Sequence, residues 1–174
     1  MLSKIIPPIG GDTLFANTQK AYEDLNDEMK IKIENLKVVH SAKLPYADDG
    51  FYATETEKRS MNIITSKEAK KEQIHSLVKV HPETQKKGLF INPVYTSHIQ
   101  GFNEEESFLL LSKLYEHMTQ EKYIYRHKWK ENMLLMWDNR TVMHMAEGGY
   151  DGYDRLLHRI CLLYTSPSPR DTRR

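Results

Sequence analysis

The sequence predicts a mainly β fold with a few flanking helices. Three short apolar runs in the last third of the chain have the length of strands and are separated by turn-forming residues: Met133–Trp137, Thr141–Ala146 and Arg155–Leu163. Two longer segments instead carry apolar residues at steps of three and four, which is typical of helices that pack on a sheet. With 174 residues, of which 39% are hydrophobic, the chain can bury one hydrophobic core.

Charge and composition favour a protein that acts on a small molecule. Lys and Arg number 25 and Asp and Glu 24, so no basic field is available for nucleic acid and we expect no such partner. No apolar run approaches the roughly 20 residues of a membrane helix, so no membrane partner is expected either. Cys161 is the only cysteine, which is typical of a reducing compartment. We therefore expect a cytoplasmic protein.

The first 40 residues predict one strand followed by helix. Gly10 and Gly11 break the chain before a short strand at Thr13–Ala16, and either Asn17 or Thr18 is suited to cap the helix that follows. Asn26-Asp27 can divide that helix into two. Its apolar face is formed by Tyr22, Leu25, Met29, Ile33 and Leu36.

The middle of the chain alternates predicted strands with one long polar segment. Leu36–His40 predicts a strand, and Leu77–Val80 with Leu89–Ile91 predict a pair joined by a turn. Ser41–Lys71 is charged and poor in large apolar residues, which predicts a long loop, either a lid or a disordered segment. Glu104–Met118 predicts a helix, because its apolar residues have helical spacing and its first turn is acidic.

One histidine and two arginines near the end of the chain are the strongest candidates for chemistry. If the glycine-rich loop folds the last two runs into a hairpin about Gly149 and Tyr150, His144 lies opposite Arg155. Arg155 and Arg159 would share a strand face. Arginine pairs with carboxylates, sulfonates or phosphates, and neutral histidine is the commonest protein metal ligand. The hypothesis is a small-anion site beside a metal; the alternative is a packed histidine with two solvated arginines.

Four short motifs follow one another along the chain: Gly10-Gly11-Asp12-Thr13, Trp137-Asp138-Asn139-Arg140, Thr141-x-x-His144 and Arg155-x-x-x-Arg159. Together they resemble the taurine dioxygenase (TauD/TfdA) family of iron(II)/2-oxoglutarate-dependent dioxygenases, from about Pro7 to Leu163. The resemblance implies a double-stranded β-helix, or jelly-roll, with Fe(II) and 2-oxoglutarate as cofactors. It also implies oxidation of a small organic acid by molecular oxygen, with decarboxylation of 2-oxoglutarate to succinate. Taurine, another sulfonate or an alkanoate would be the substrate.

The same resemblance implies roles for individual residues. His144 matches the distal histidine that binds iron. Arg155 matches the arginine that pairs with the distal carboxylate of 2-oxoglutarate, and Thr13 matches the threonine that hydrogen-bonds that carboxylate. Arg159 matches the arginine near the acidic group of the substrate.

The family binds iron through one further His-x-Asp/Glu pair, which is expected upstream of Gly10 and before residue 1. Residues 1–163 would then be the C-terminal two-thirds of the domain, a jelly-roll incomplete at its N-terminus, and this chain alone would bind iron poorly and be inactive. His81-Pro82-Glu83 has the form of the missing pair, but we expect no metal role for it. The other histidines are expected to be solvated or packed: His40, His75, His98, His117, His127 and His158.

Two alternatives stay open beside the dioxygenase hypothesis. The chain could be a non-catalytic jelly-roll fragment or small-anion-binding remnant without an iron site, or a cupin-like zinc or manganese enzyme, since one fold hosts several metals. The sequence leaves the substrate and the oligomeric state open, a homo-oligomer included. Residues 164–174 are rich in Ser, Pro and Arg and are predicted to be a disordered, non-native tail.

Overall fold

The computed structural model describes residues 1–54 and 64–160, so the predicted tail at 164–174 lies outside the described residues. Within these ranges the chain is mainly β, with short helices beside the strands. It divides into two compact units. The first comprises the described residues within Met1–Thr13, His127–Trp137 and Ala146–Arg174, and the second those within Leu14–Arg126 and Asp138–Met145. None of the described helices is long and apolar enough to cross a membrane.

The first unit is organised around a two-stranded antiparallel sheet of β1 (Leu2–Ile5) and β10 (Leu156–His158). Ser3 is fully buried beside it, and its backbone N–H donates to the carbonyl of Met133 at 3.0 Å. The predicted strand at Met133–Trp137 is wrong, because this run forms an isolated bridge between Leu134 and Leu2 and backbone bonds to Met1 and Ser3 rather than a continuous ladder. A four-residue strand offers too short a ladder to order the whole run.

A three-stranded sheet has β2 (Thr13–Asn17) at its centre, between β8 (Ile124–His127) and β9 (Val142–Ala146). The predicted strand at Thr13–Ala16 is confirmed as β2. The predicted run Thr141–Ala146 is confirmed as β9. Both outer strands come from the last third of the described chain, so this sheet depends on contacts between residues distant in sequence.

The predicted hairpin that would set His144 opposite Arg155 is wrong. β9 belongs to the sheet of β2, whereas β10 pairs with β1. The loop between them forms backbone bonds elsewhere, since the amide of Glu147 donates to the carbonyl of Asp12 at 2.9 Å. β9 and β10 therefore each pair with a strand from the N-terminal part of the chain. The residue pairing that a hairpin of these two strands would give does not occur.

The second unit holds a further antiparallel sheet in which β3 (Lys37–Ser41) lies between β4 (Glu72–Ser76) and β7 (Thr96–Ile99). β5 (Val78–Val80) and β6 (Lys87–Leu89) form a separate antiparallel pair. The predicted strand near residue 38 and the predicted pair are confirmed, with bounds shifted by one to two residues. β4 and β7 were not predicted, because their polar residues mask the alternation that marks a strand.

The helices of the second unit begin where asparagine caps predict. Asn17 caps α1 (Thr18–Glu23) and Asn26 caps α2 (Asp27–Ile33), so the predicted division at Asn26 is confirmed. A capping box at Asn103 begins the long helix Glu104–Met118, whose predicted bounds are confirmed. The core of this unit comprises Ala21, Tyr22, Leu25, Ile33, Val38, Leu77, Val78, Leu89, Ile91, Ile99, Leu110, Leu111, Leu114, Met118 and Tyr123.

The segment predicted as a long loop contains short helices where it is described. These are α3 (Lys43–Tyr46), α4 (Phe51–Thr54) and a 3-10 turn at Lys67–Lys70, and the long helix Glu104–Met118 is therefore α5. Lys70 forms ion pairs with Asp48 at 2.8 Å and Asp49 at 3.0 Å. Local polar contacts of this kind leave no apolar periodicity, which explains why the sequence pattern predicted a loop.

Candidate functional site

Gly10 allows two stretches of backbone to approach closely at the start of the candidate site. Its φ is +68°, and a Cβ at this position would lie 2.5 Å from the carbonyl oxygen of Gly149. The next residue, Gly11, donates its amide to the carbonyl of Gly148 at 3.1 Å. A side chain at position 10 would separate these segments, so glycine is required here for both conformation and space.

Gly11 also holds the first of the predicted arginines. The Arg155 guanidinium donates to the Gly11 carbonyl from Nε at 3.2 Å and from Nη2 at 2.9 Å. Gly11 has a φ of +71°, and a Cβ there would come within 2.9 Å of Arg155 Nε. The Arg155 Cζ also lies 5.6 Å from the ring centroid of Tyr150. Arg155 is thus held in place by a neutral carbonyl and an aromatic ring.

The charge of Arg155 has no acidic partner in residues 1–54 and 64–160, where its polar contact is the Gly11 carbonyl. A carbonyl does not neutralise a guanidinium. The planar fork of arginine matches the two oxygens of a carboxylate, and such charge-assisted bonds are about twice as strong as neutral ones. This arrangement can therefore accept an anionic ligand.

Thr13 lies two residues beyond Gly11, at the first position of β2, and is only 4% exposed. Arg155 donates to the carbonyl of Gly11, two positions before Thr13, so both predicted residues belong to the same part of the first unit. We refer to Gly11, Thr13 and Arg155 as the anion corner.

A residue that sequence reasoning missed completes the anion corner. The indole Nε1 of Trp129 donates to Thr13 Oγ1 at 2.9 Å, and Trp129 is 7% exposed. The imidazole of His127 packs edge-on against the indole, with ring centroids 4.4 Å apart at 86°. Trp129 and Thr13 are 116 residues apart, so no local pattern could have indicated the contact.

Arg159 lies outside the anion corner. Its side chain is exposed, and its Cζ stands 5.7 Å from the ring centroid of Trp137. The two predicted arginines therefore have different surroundings, a backbone carbonyl for Arg155 and an indole face for Arg159. A cation above an indole presents charge beside an apolar surface.

His144, the predicted iron ligand, lies on β9 in the second compact unit. It is half-buried, and its ring stacks on Phe15 with centroids 6.0 Å apart and an interplanar angle of 26°. Within the described ranges, no group of three or more His, Cys, Asp or Glu side chains could hold a metal ion. These residues do not by themselves fit an iron site, because iron(II) of the 2-His-1-carboxylate type needs three protein ligands.

His81 has both ring nitrogens engaged. Its Nδ1 accepts the backbone amides of Glu83 at 3.3 Å and Thr84 at 3.1 Å, which places the ring proton on Nε2. Nε2 then donates to Asp138 Oδ2 at 3.1 Å. This geometry leaves no lone pair on His81 for a metal ion.

Asp138 connects this turn to the residues before β9. It accepts two hydrogen bonds from Arg140 Nε, at 2.9 and 3.0 Å, and one from Arg140 Nη2. The Arg140 guanidinium and the His81 imidazole hold the pKa of the Asp138 carboxyl well below its usual range. We refer to His81, Asp138 and Arg140 as the ion-pair junction; its polar groups bind one another.

The motifs that suggested a family agree with a direct comparison with known proteins. The family model described as "Taurine catabolism dioxygenase TauD, TfdA family" matches residues 1–161. The chain therefore belongs to the TauD/TfdA family of dioxygenases.

Two curated relatives share more than a third of their matched residues with this chain. An alkylsulfatase from Acinetobacter baylyi is 37% identical over 159 residues, which are 91% of this chain and 49% of the relative. An alpha-ketoglutarate-dependent 2,4-dichlorophenoxyacetate dioxygenase from a Burkholderia species is 38% identical over 148 residues, 83% of this chain and 46% of the relative. The chain thus spans about half the length of these relatives.

A solved structure confirms the predicted jelly-roll family fold. AAD-2, crystallised in complex with Mn(II) and N-oxalylglycine, superposes with a TM-score of 0.74 at 34% identity. The match covers 88% of this chain and 57% of AAD-2. The described chain therefore has the fold of this family over most of its length.

Proposed function

We propose that this chain is part of an iron(II)/2-oxoglutarate-dependent dioxygenase that oxidises a small organic acid and converts 2-oxoglutarate to succinate and carbon dioxide. The observation that carries the proposal is the anion corner, in which a guanidinium without an acidic partner among the described residues is held by Gly11, two positions before the buried Thr13. Family membership over residues 1–161 supports the same function. The single cysteine supports a reducing compartment, the cytoplasm.

In this proposal, Arg155 and Thr13 bind the distal carboxylate of 2-oxoglutarate. The guanidinium supplies charge and a planar pair of donors, and the hydroxyl supplies one further donor. Because Gly11 already holds Arg155 in position, little side-chain entropy is lost when the ligand binds. The corner would thereby orient the cofactor as well as bind it.

Arg159 binds the acidic group of the organic substrate in this proposal. Its exposed guanidinium stands above the Trp137 ring, which offers a cation beside an apolar surface. A relative that is 38% identical is named for 2,4-dichlorophenoxyacetate, an acid with an apolar body. A small sulfonate or alkanoate has the same combination of an anionic end and an apolar remainder.

His144 supplies one iron ligand in this proposal. The described residues contain no complete ligand group, so the proposal requires further ligands from residues beyond them. The test therefore uses the complete gene product that contains this chain. Succinate formation from 2-oxoglutarate is measured with iron(II), ascorbate and a panel of small sulfonates and alkanoates.

We expect His144→Ala to lower succinate formation by about 100-fold or more, since it would remove a metal ligand. His158→Ala is the matched control, because His158 is an exposed histidine on β10. Equal activity of the two variants would contradict the role of His144. No succinate from the unaltered complete protein with any acid in the panel would contradict the proposed function.

The absence of a three-residue metal group among the described residues favours one alternative, a small-anion-binding protein without oxygen chemistry. Such a protein would keep the anion corner, and 2-oxoglutarate would bind without being consumed. Iron analysis of the complete gene product separates the two functions. A stoichiometric iron content supports the dioxygenase, whereas a metal-free protein that binds 2-oxoglutarate supports the alternative.

A further inference from the structure

The hydrogen bond between Trp129 and Thr13 has only one possible direction. An indole N–H donates and has no lone pair with which to accept, so the Thr13 hydroxyl oxygen must be the acceptor. Both side chains are buried, at 7% and 4% exposure, which shields the bond from water. The orientation of the hydroxyl is therefore restricted by a rigid aromatic partner.

The hydroxyl proton of Thr13 remains available after this bond has formed. A threonine hydroxyl has one donor and two acceptor sites, and the indole occupies one acceptor site. Over residues 1–54 and 64–160, the contact from Trp129 is the hydrogen bond that the Thr13 side chain makes. A buried hydroxyl proton without an acceptor costs about 1–3 kcal/mol, so this site favours a ligand that accepts.

We propose that Trp129 is a positioning residue, which fixes the Thr13 hydroxyl as a hydrogen-bond donor to an ionised carboxylate held by Arg155. The inference rests on the proposed function, because it takes that carboxylate to be the distal one of 2-oxoglutarate. Trp129 itself does not touch the ligand. It determines which way the hydroxyl of Thr13 points.

The donor groups of the anion corner suit a carboxylate, because the guanidinium and the hydroxyl each supply N–H or O–H donors that its two oxygens accept. Both protein groups are donors, so a ligand that presents only acceptors is favoured.

This arrangement also predicts selectivity for the charged form of the ligand. In 2-oxoglutaramate the distal carboxylate is replaced by an amide, whose NH2 group would face a donor. A site that pairs with all polar atoms of one ligand discriminates strongly against an analogue that leaves a donor opposed to a donor. We expect the complete wild-type gene product to bind 2-oxoglutarate at least about 10-fold more tightly than 2-oxoglutaramate.

The test measures the 2-oxoglutarate affinity of the complete gene product that contains this chain by isothermal titration calorimetry, because that readout does not depend on the indole that one variant removes. Trp129→Phe keeps an aromatic ring and removes the donor, and we expect it to weaken binding by about 3- to 10-fold. Thr13→Val should weaken binding at least as much, whereas Thr13→Ser, which keeps the hydroxyl, should stay close to wild type. Thr18→Val is the matched control, because Thr18 is a buried threonine whose hydroxyl bonds to a backbone carbonyl.

A double variant distinguishes positioning from general destabilisation. If Trp129 acts through the Thr13 hydroxyl, the Trp129→Phe/Thr13→Val double variant should bind no more weakly than Thr13→Val alone. Fully additive losses would overturn the inference. A Trp129→Phe variant that binds as tightly as wild type, while Arg155→Gln binds weakly, would overturn the inference and leave the proposed function standing. A complete wild-type gene product that binds neither 2-oxoglutarate nor 2-oxoglutaramate would overturn both.

Discussion

Arg140 and Arg155 belong to two of the family motifs but have different surroundings. Arg140 donates to both carboxylate oxygens of Asp138, and that contact raises the pKa of the guanidinium. Arg155 donates to the backbone carbonyl of Gly11, a neutral acceptor. Among the described residues, Arg140 pairs with a carboxylate, whereas Arg155 bonds to a neutral carbonyl, and a ligand that supplies the counter-charge of Arg155 is what we propose. Spacing in the sequence does not reveal this difference.

The same contrast extends to the residues around the two arginines. In the ion-pair junction, the buried His81 and Arg140 both donate hydrogen bonds to the Asp138 carboxylate. In the anion corner, Trp129 donates to Thr13 and leaves the hydroxyl proton for another acceptor. The junction is therefore expected to stabilise the fold, whereas the corner is expected to bind a ligand.

The largest expected effect is a difference in 2-oxoglutarate affinity between variants of Arg155 and variants of Arg140. Arg155→Gln should lower the affinity for 2-oxoglutarate by about 10- to 100-fold, because it removes a charge-assisted pair worth about 1.5–3 kcal/mol. Arg140→Gln should change it by less than about 3-fold, since its charge is already paired with Asp138. Isothermal titration calorimetry measures both. Equal losses in the two variants would show that the contrast between the arginines does not control binding.

The next effect concerns the free energy of unfolding, to which the ion-pair junction is expected to contribute more than the anion corner. His81→Ala removes three hydrogen bonds from a buried position, and we expect the free energy of unfolding to fall by about 1–3 kcal/mol. His98→Ala is the control, because His98 is half-buried and its ring bonds to the adjacent Ser97. Urea denaturation followed by circular dichroism gives both values. A His81→Ala variant as stable as His98→Ala would refute a structural role for the junction.

A smaller effect tests the close approach at Gly11. Gly11→Ala places a Cβ 2.9 Å from Arg155 Nε, at a φ of +71°, so it should lower both stability and 2-oxoglutarate affinity. Gly149→Ala is closely matched, with a φ of +79° and no atom within 4 Å of the added Cβ. Both variants carry a backbone cost of about 1 kcal/mol. Only Gly11→Ala should displace Arg155, so an equal effect of the two on affinity would contradict the proposed geometry.

The smallest effect is the pH dependence of stability, measured by thermal unfolding from pH 7 to pH 3. Burial, with the nearby His75 and Lys79, lowers the pKa of His40 to about 4, so the unfolded chain binds more protons between about pH 6.5 and pH 4. Stability should therefore fall across that window. Since the ring is only half-buried, the loss from pH 7 to pH 5 should be on the order of 1 kcal/mol.

Two variants distinguish the contribution of His40 to this pH dependence from that of Asp138. His40→Gln should flatten the dependence between pH 6.5 and pH 4. The pKa of Asp138 is lowered by Arg140, so the stability that this carboxylate contributes is lost only as the pH falls below about 4. Asp138→Asn should therefore alter only the acid end of the curve. A flattened curve between pH 7 and pH 5 in Asp138→Asn would contradict this assignment.

Local signals in the sequence predicted those parts of the fold that are determined locally. Asparagine caps marked the starts of α1 and α2, and the apolar spacing of Glu104–Met118 predicted α5 with its observed bounds. These features depend on residues within one or two helical turns. The polar strands β4 and β7 lack such a signal in their sequences. They are strands because they pair with β3.

For the candidate site, the sequence by itself determined the family and four residues for which roles are proposed, because motif spacing is preserved in the chain: Thr13, His144, Arg155 and Arg159. Only the tertiary structure decided that β9 and β10 pair with different strands, that Arg155 donates to the carbonyl of Gly11, and that Trp129 donates to the hydroxyl of Thr13. Those contacts join residues more than 100 positions apart, and no local pattern encodes such pairings. The candidate site residues can therefore be identified from the sequence, whereas their hydrogen-bond partners depend on contacts between residues that are distant in sequence.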